Sequence, residues 1–122
     1  MRALVVFEDE GFGFWAWAFG RPGFRHCFVA LDDGRAWITI DPLGNGTRVD
    51  AETASSVDLA THYRGLGMTV LEATLETARR PYRAPMPFTC VEAVKRVLGV
   101  HCWALTPYQL YRHLEERHGR HL

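Results

Sequence analysis

The sequence predicts an α+β fold, in which an antiparallel sheet packs against a helix that begins near residue 90 and a second helix near the C-terminus. Three features predict this class: short alternating apolar runs, an Asp33-Gly34 turn between two of them, and helix-capping patterns at Thr89 and Thr106. At 122 residues the chain is long enough for one hydrophobic core, and we expect a single domain over residues 1–122.

The Asp33-Gly34 dipeptide predicts a hairpin whose strands run from residue 27 to 31 and from residue 36 to 40. If these two residues form the centre of the turn, the register places His26 directly opposite Asp41. A carboxylate there accepts a ring N–H and favours the charged imidazolium. The alternative is a polar pair that only fixes the strand register. The other face of the hairpin is predicted to be wholly apolar and comprises Cys27, Val29, Leu31, Ala36, Ile38 and Ile40.

The remaining elements follow from the same patterns and from turn-forming residues. Strands are predicted over residues 2–7, 15–19, 47–49 and 68–74, and a loop over residues 42–46. Asp50 is predicted to cap a helix that ends at Gly65, because apolar residues recur between them at roughly helical spacing.

Two capping patterns predict the C-terminal helices. Thr89-x-x-Glu92 is a capping box, and Gly99 is the expected end of the helix that it begins. Thr106 begins the second helix, with proline in the first helical position and Gln109 in the third. The predicted buried side chains are Val91, Val94 and Leu98 in the first helix and Leu110, Tyr111 and Leu114 in the second. Glu92, Lys95 and Arg96 are expected on the polar side of the first helix.

Composition narrows the classes of function. Fourteen basic and fourteen acidic residues cancel, so the charge does not favour nucleic acid or an anionic membrane as a partner. No apolar run approaches the length of a membrane span, and the N-terminal segment does not have the pattern of a signal peptide. Three cysteines without paired spacing suit a reducing compartment such as the cytoplasm.

Cys90 is the candidate nucleophile. It occupies the first turn of the helix capped by Thr89, where the helix dipole and unpaired N–H groups favour a thiolate and can bind an oxyanion. A helix N-terminus directed at His26 and Asp41 would complete a Cys-His-Asp triad, with His26 as general base and Asp41 as orienting carboxylate. The alternatives are that Cys90 is a small buried core residue, or that the three side chains bind a metal, which we do not expect.

Two segments carry a resemblance to a known family. FRHCFVALDDGRAWITIDP resembles the histidine strand and its successor in circularly permuted papain-like cysteine enzymes, which include NlpC-type proteins and relatives of lecithin-retinol acyltransferase. PFTCVEAVKRVLG resembles their cysteine helix. The resemblance implies a permuted papain-like fold and a thiol hydrolase, either a cysteine peptidase or amidase, or an acyltransferase. Cys90, His26 and Asp41 would act on a peptide or acyl substrate, for example a peptidoglycan amide, through a thioester.

The sequence departs from this family at two points. Thr89 stands where the acyltransferase-like members often have asparagine, and Gln109, the only glutamine, lies in a different helix from the nucleophile. No side chain is therefore identified that would complete the oxyanion hole. A catalytically inactive structural or binding module of the same fold is the alternative function.

The chain is also similar in style to short proteins encoded by tailed phages and prophages, which implies a virion as a second possible location and phage structural proteins as partners. Trp15 and Trp17 are candidate substrate-binding residues that line the cleft, with packing within the sheet as the other interpretation. Residues 11–16 fit the G-x-G-x-x-A dinucleotide pattern, but the helix that this motif requires does not follow. We therefore expect no cofactor.

Overall fold

The computed structural model describes residues 1–9, 21–43, 46–74, 89–100 and 102–118. These residues form an α+β fold, as predicted, with a five-stranded antiparallel sheet and three helices. In chain order the elements are β1 (Arg2–Glu8), β2 (His26–Asp32), β3 (Ala36–Leu43), β4 (Gly46–Ala54), α1 (Leu59–Gly65), β5 (Thr69–Thr74), α2 (Cys90–Leu98) and α3 (Pro107–His118).

The sheet has the strand order β4-β3-β2-β1-β5, so both strands of the predicted hairpin lie inside it. Side chains alternate between two faces along each strand, and each face carries its own core. The α2 face includes Cys27 and Val29 and packs against Val94 of α2. The α1 face includes Phe28 and packs against Leu59 of α1. The face of the hairpin that was predicted to be apolar is the one that α2 covers.

The register of the β2–β3 hairpin differs by two residues from the prediction. Asp32 pairs with Trp37, so Gly34-Arg35 rather than Asp33-Gly34 forms the centre of the turn. The Asp33 carboxylate accepts the main-chain N–H groups of Arg35 and Ala36, each at 2.8 Å, and Gly34 has a positive φ of 92°. These hydrogen bonds between the Asp33 side chain and the main chain favour the observed turn, centred on Gly34-Arg35. A shift of two residues preserves which side chains share a face.

The prediction of a helix from Asp50 to Gly65 is wrong for its first half. Gly46–Ala54 forms β4 instead, an edge strand that pairs with β3 and is exposed along nearly its whole length. The predicted loop over residues 42–46 is correspondingly shorter, because Pro42 and Leu43 belong to β3. An exposed edge strand needs no apolar alternation, so pairing with its neighbour decides its structure.

The helical part of that segment is confined to α1, Leu59–Gly65. Asp58 caps it: the carboxylate accepts the main-chain N–H of Thr61 at 3.1 Å and the hydroxyl of the same residue at 2.7 Å. The Asp58-x-x-Thr61 spacing is therefore the local signal for the start of this helix.

Both C-terminal helices begin at their predicted caps. Thr89 Oγ1 accepts the main-chain N–H of Glu92 at 3.2 Å, and α2 ends at Gly99, whose φ of 67° closes the helix. Thr106 Oγ1 accepts the main-chain N–H of Gln109 at 3.3 Å at the start of α3. Local sequence thus determines where both helices begin.

The prediction that Glu92 and Lys95 lie on a polar side of α2 is wrong. Each residue is only 2 % exposed, Lys95 Nζ donates to Glu92 Oε1 at 2.6 Å, and it also donates to the carbonyl of Ala104 at 3.1 Å. A buried charge requires such a partner. The pair fixes α2 to the segment before α3. Glu92 Oε2 has no hydrogen-bond partner among the described residues, so the return bond of the capping box to Thr89 is not formed.

Candidate active site

His26 and Asp41 form the polar centre of the candidate site. They lie on the α1 face and, in the observed register, are offset by two residues instead of directly opposite. His26 Nε2 nevertheless lies 2.6 Å from Asp41 Oδ1, and the two side chains are only 7 % and 18 % exposed. A short hydrogen bond shielded from water orients the ring and favours the imidazolium. The predicted contact is confirmed, whereas the register from which it was predicted is wrong.

The two strands separate beside this contact. The β2–β3 ladder ends at Val29 and Ile40, and residues 26–28 of β2 pair with β1 but not with β3 in the part of the chain that the structure describes. The sheet is therefore open next to the first residues of β2. Because α2 packs on β2, this is also where Cys90 approaches the strand.

Cys90 is the first residue of α2 and is half-buried. The Glu92 N–H bonds the Thr89 hydroxyl, and the helical ladder begins with the Ala93 N–H, which bonds the Thr89 carbonyl at 2.9 Å. The N–H groups of Cys90 and Val91 precede that ladder, as they do at the start of any helix. Their partial positive charge stabilises a thiolate and suits an oxyanion.

Cys90 and His26 have pKa values displaced in opposite directions. Hydrogen bonding with the Cys27 thiol, together with His26, outweighs burial and lowers the pKa of Cys90 from 9.0 to about 5. Burial opposes the protonation of His26, but hydrogen bonds with Asp41 and Cys90 outweigh it and raise the pKa of the ring from 6.5 to about 10. At neutral pH the two groups therefore form a thiolate–imidazolium pair.

Sequence reasoning did not identify two further residues at the site. Cys27 lies on the α2 face, opposite to His26 as alternation predicts, but Cys90 contacts both because the strand is open at this point. Glu8 is the β1 partner of His26, and its Oε1 lies 4.0 Å from His26 Nε2. Only the pairing of β1 with β2, which joins distant parts of the chain, could have identified Glu8.

Gln109 does not contribute to this site. Its Oε1 accepts the main-chain N–H groups of Leu105 at 2.9 Å and Thr106 at 3.3 Å, which places it at the start of α3. Gln109, the only glutamine of the chain, therefore does not supply a side-chain donor beside Cys90.

The described residues place no other sequence-based candidate at this site. Trp15 and Trp17 fall outside the described residues, as does the G-x-G-x-x-A pattern of residues 11–16. Among the described residues, no three His, Cys, Asp or Glu side chains are arranged to hold a metal ion, and no helix there is long and apolar enough to cross a membrane. A surface groove away from the three candidate residues is lined by Cys102, Trp103, Ala104, Tyr108, Gln109, Arg112, His113 and Glu116.

Comparisons with known protein families, with curated proteins and with solved structures gave no match to this chain.

Proposed function

We propose that this protein is a papain-like thiol hydrolase, a cysteine peptidase or amidase, that acts through Cys90, His26 and Asp41. One observation carries the proposal: His26 lies between the Asp41 carboxylate, 2.6 Å from Nε2, and the thiol of Cys90 at the start of α2. In the proposed mechanism Nδ1 serves the thiol, because Nε2 is engaged by Asp41. These positions match the roles of orienting carboxylate, general base and nucleophile.

The order of the elements supports a circularly permuted papain-like arrangement. The histidine strand β2 comes first, the carboxylate strand β3 follows, and the cysteine helix α2 comes last. The two strands are neighbours in an antiparallel sheet, and the helix packs on the first of them. The same order is implied by the resemblance of the two sequence segments to that family.

The proposed reaction starts from the thiolate–imidazolium pair. The Cys90 thiolate adds to the carbonyl carbon of an amide, and the first-turn N–H groups of α2 stabilise the oxyanion. The His26 imidazolium gives its proton to the leaving amine as the C–N bond breaks, which leaves a thioester on Cys90. His26 then removes a proton from water, the hydroxide attacks the thioester, and the carboxylic acid leaves as the thiolate is restored. With another nucleophile in place of water, the same steps would transfer the acyl group.

The proposed substrates are peptide amides, including those of peptidoglycan. The proposed setting is a phage-encoded protein in the cytoplasm or on the virion, with phage structural proteins as partners. The support for both is the resemblance of the sequence to permuted papain-like enzymes and to short phage proteins.

A catalytically inactive structural or binding module of the same fold is the second candidate function. The observation in its favour is the position of Gln109, whose side chain caps α3 and does not provide an oxyanion donor beside Cys90.

The rate of Cys90 alkylation by iodoacetamide, measured across pH in a Cys102→Ser background, tests the thiolate–imidazolium pair. Peptide mapping by mass spectrometry identifies the modified thiol. We expect the native chain to react with a midpoint near the Cys90 pKa of about 5. His26→Ala should raise that midpoint by about one pH unit or more. His62→Ala, which removes an exposed histidine of α1, is the matched control and should leave the midpoint unchanged.

A native midpoint near the ordinary cysteine value of about 8.5 would contradict the proposal, and so would a midpoint that does not respond to His26→Ala. Where the pair is present, turnover separates the two candidate functions. Cleavage of peptide amides or esters that is lost in Cys90→Ala supports the hydrolase, and a reactive thiol without turnover supports the inactive module.

A further inference from the structure

The two edges of the sheet differ in exposure. At one edge lies β5, whose Val70 and Leu71 are each only 2 % exposed. At the other edge lies β4, which is exposed at every residue except Thr53. Among the described strands β4 pairs with β3 alone, so its outer row of main-chain N–H and C=O groups has no strand beside it within the described chain. Such a row is a template for pairing with another strand.

β4 lacks several features that prevent edge strands from pairing. It is nine residues long and contains neither lysine nor proline. A bulge interrupts its pairing with β3 after Asp50, but the run from Gly46 to Asp50 is regular. Val49 lies in this run, is 63 % exposed and is the only exposed large apolar side chain of the described strands. The regular run therefore offers both a main-chain edge and an apolar contact.

The sequence of this run is complementary to itself when two copies pair antiparallel. A two-fold axis at Val49 places this residue opposite its own copy, and it places Arg48 opposite Asp50 of the second copy in two symmetry-related pairs. Arg48 and Asp50 share the α1 face, because their partners in β3 are Asp41 and Thr39. Opposite charges that face each other across an antiparallel pair stabilise it.

Neighbouring positions of the axis are less favourable. An axis at Arg48 would set this side chain against its own copy, and an axis at Asp50 would do the same for the carboxylate. An axis at Ala51 would set Asp50 against Glu52. Like charges directly opposite each other destabilise a strand pair. Of these axes, only the one at Val49 pairs unlike charges without also opposing like charges, so charge selects one register.

We propose that the outer edge of β4 is the interface of a symmetric homodimer, in which two copies pair antiparallel about Val49 and join their sheets into one. The occupant is a second copy of this chain, because the charge pattern around Val49 complements itself. The proposal is independent of the proposed function, since β4 carries none of the three proposed triad residues. A single pair of edge strands buries less surface than an obligate dimer does, so the dimer should dissociate on dilution.

Sedimentation equilibrium under reducing conditions, over a range of protein concentrations, tests the dimer. The weight-average mass of the native chain should rise from 13.9 kDa towards twice that value as concentration increases. Val49→Lys sets lysine against lysine at the axis and should raise the dissociation constant by about ten-fold or more. Val49→Glu should have the same effect. Leu66→Lys is the matched control, because Leu66 is 60 % exposed at the end of α1, and it should keep the native constant.

An equal mixture of Val49→Lys and Val49→Glu tests the register. If residue 49 faces its own copy across the axis, lysine meets glutamate in the mixed pair, so a heterodimer should form at concentrations where neither variant associates alone. A native mass that stays at 13.9 kDa at every concentration would overturn the proposal. Equal weakening by Val49→Lys and Leu66→Lys would also overturn it, as would a mixture that stays monomeric or a native chain that grows beyond the dimer.

A second measurement uses the native chain alone. Amide hydrogen exchange followed by NMR should slow within residues 47–51 as the protein concentration rises, because pairing protects the outer N–H groups of β4. Slowing that is confined to another part of the described chain contradicts the proposed edge. A chain that stays monomeric, and whose residues 47–51 are protected only when an unrelated extended peptide is added, would assign the edge to a different partner and overturn the homodimer.

Discussion

At the scale of the residue, the electrostatics of the site centre on His26. Its side chain is only 7 % exposed, with Asp41 Oδ1 at 2.6 Å and Glu8 Oε1 at 4.0 Å from Nε2. Burial alone would lower the pKa of the ring and keep it neutral, but the interactions with Asp41 and Cys90 outweigh burial and raise this pKa to about 10. The protonated ring in turn favours the thiolate form of Cys90, so these charges are coupled.

Asp41→Asn tests this coupling. The amide keeps the size of the side chain but removes its negative charge, so the pKa of His26 should fall by about 1–3 units from its value of about 10. The titration of the ring, followed by NMR, measures the fall, and the alkylation midpoint of Cys90 should rise in parallel. Asp50→Asn is the control, because this carboxylate is exposed on β4 and accepts the Glu52 N–H. An unchanged His26 pKa in Asp41→Asn would mean that the pair only fixes the strand register.

Sequence reasoning identified the three proposed triad residues, although the turn from which it placed two of them is wrong. The contact between His26 and Asp41 survived because a shift of two residues keeps both side chains on one face. The turn itself depends on Asp32, whose carboxylate accepts the Gly34 N–H at 2.9 Å and the Ser55 hydroxyl at 2.6 Å. Ser55 follows β4, which the sequence did not predict in full, so this bond could not be anticipated.

At the scale of the element, α2 stabilises the fold by packing on the sheet, and it also carries the candidate nucleophile Cys90. One substitution can probe both contributions. Thr89→Ala removes the hydroxyl that accepts the Glu92 N–H and should cost about 0.5–2 kcal/mol in the free energy of unfolding. It should also raise the alkylation midpoint of Cys90, because a frayed first turn presents its N–H groups less well to the sulfur. Urea unfolding and the alkylation profile measure the two effects.

Thr106→Ala is the matched control for this substitution. Thr106 caps α3 through the same type of bond, to the Gln109 N–H, so its loss should cost a similar amount of stability. It should leave the Cys90 midpoint at the native value, because α3 does not carry the candidate nucleophile. Equal shifts of the midpoint in the two variants would show that general loss of stability, not the cap of α2, controls the thiol.

Elements with local signals were predicted well, and elements that depend on distant partners were not. Both C-terminal helices begin at capping residues that the sequence displays, Thr89 and Thr106. In contrast, β4 consists of exposed residues and is a strand because it pairs with β3. The buried Glu92–Lys95 pair was unpredictable for the same reason, since Lys95 also requires the carbonyl of Ala104 from outside the helix.

At the scale of the whole molecule, the described sheet brings together groups that are far apart in the sequence. β2 is the central strand and has both β1 and β3 as neighbours, so Glu8 and Asp41 reach His26 from opposite sides. α2 then covers the same strand and adds Cys90. Folding displaces the pKa values of His26 and Cys90 from their ordinary values, so the stability of the chain should depend on pH through these two groups.

Two groups contribute to this dependence with opposite signs. The pKa of His26 is raised from 6.5 to about 10, so its contribution to stability is complete below pH 6.5 and is lost as pH rises through about 10. The pKa of Cys90 is lowered from 9.0 to about 5, so its contribution is complete above pH 9.0 and is lost as pH falls through about 5. Between pH 6.5 and 9.0 the folded chain holds one proton on His26 and the unfolded chain one on Cys90, so the two effects cancel there.

The cancellation can be resolved by removing one group at a time and measuring the free energy of unfolding in urea across pH. The stability difference between the native chain and Cys90→Ala should grow as pH rises from about 5 to 9.0, because in this range Cys90 is protonated in the unfolded chain but is a thiolate in the folded chain. The difference between the native chain and His26→Ala should shrink as pH rises from 6.5 to about 10. Val29→Ala, which removes no ionisable group, should give a difference that does not vary with pH. Two flat curves for Cys90→Ala and His26→Ala would mean that both groups titrate alike in the folded and unfolded chains, which would leave the site without its thiolate–imidazolium pair.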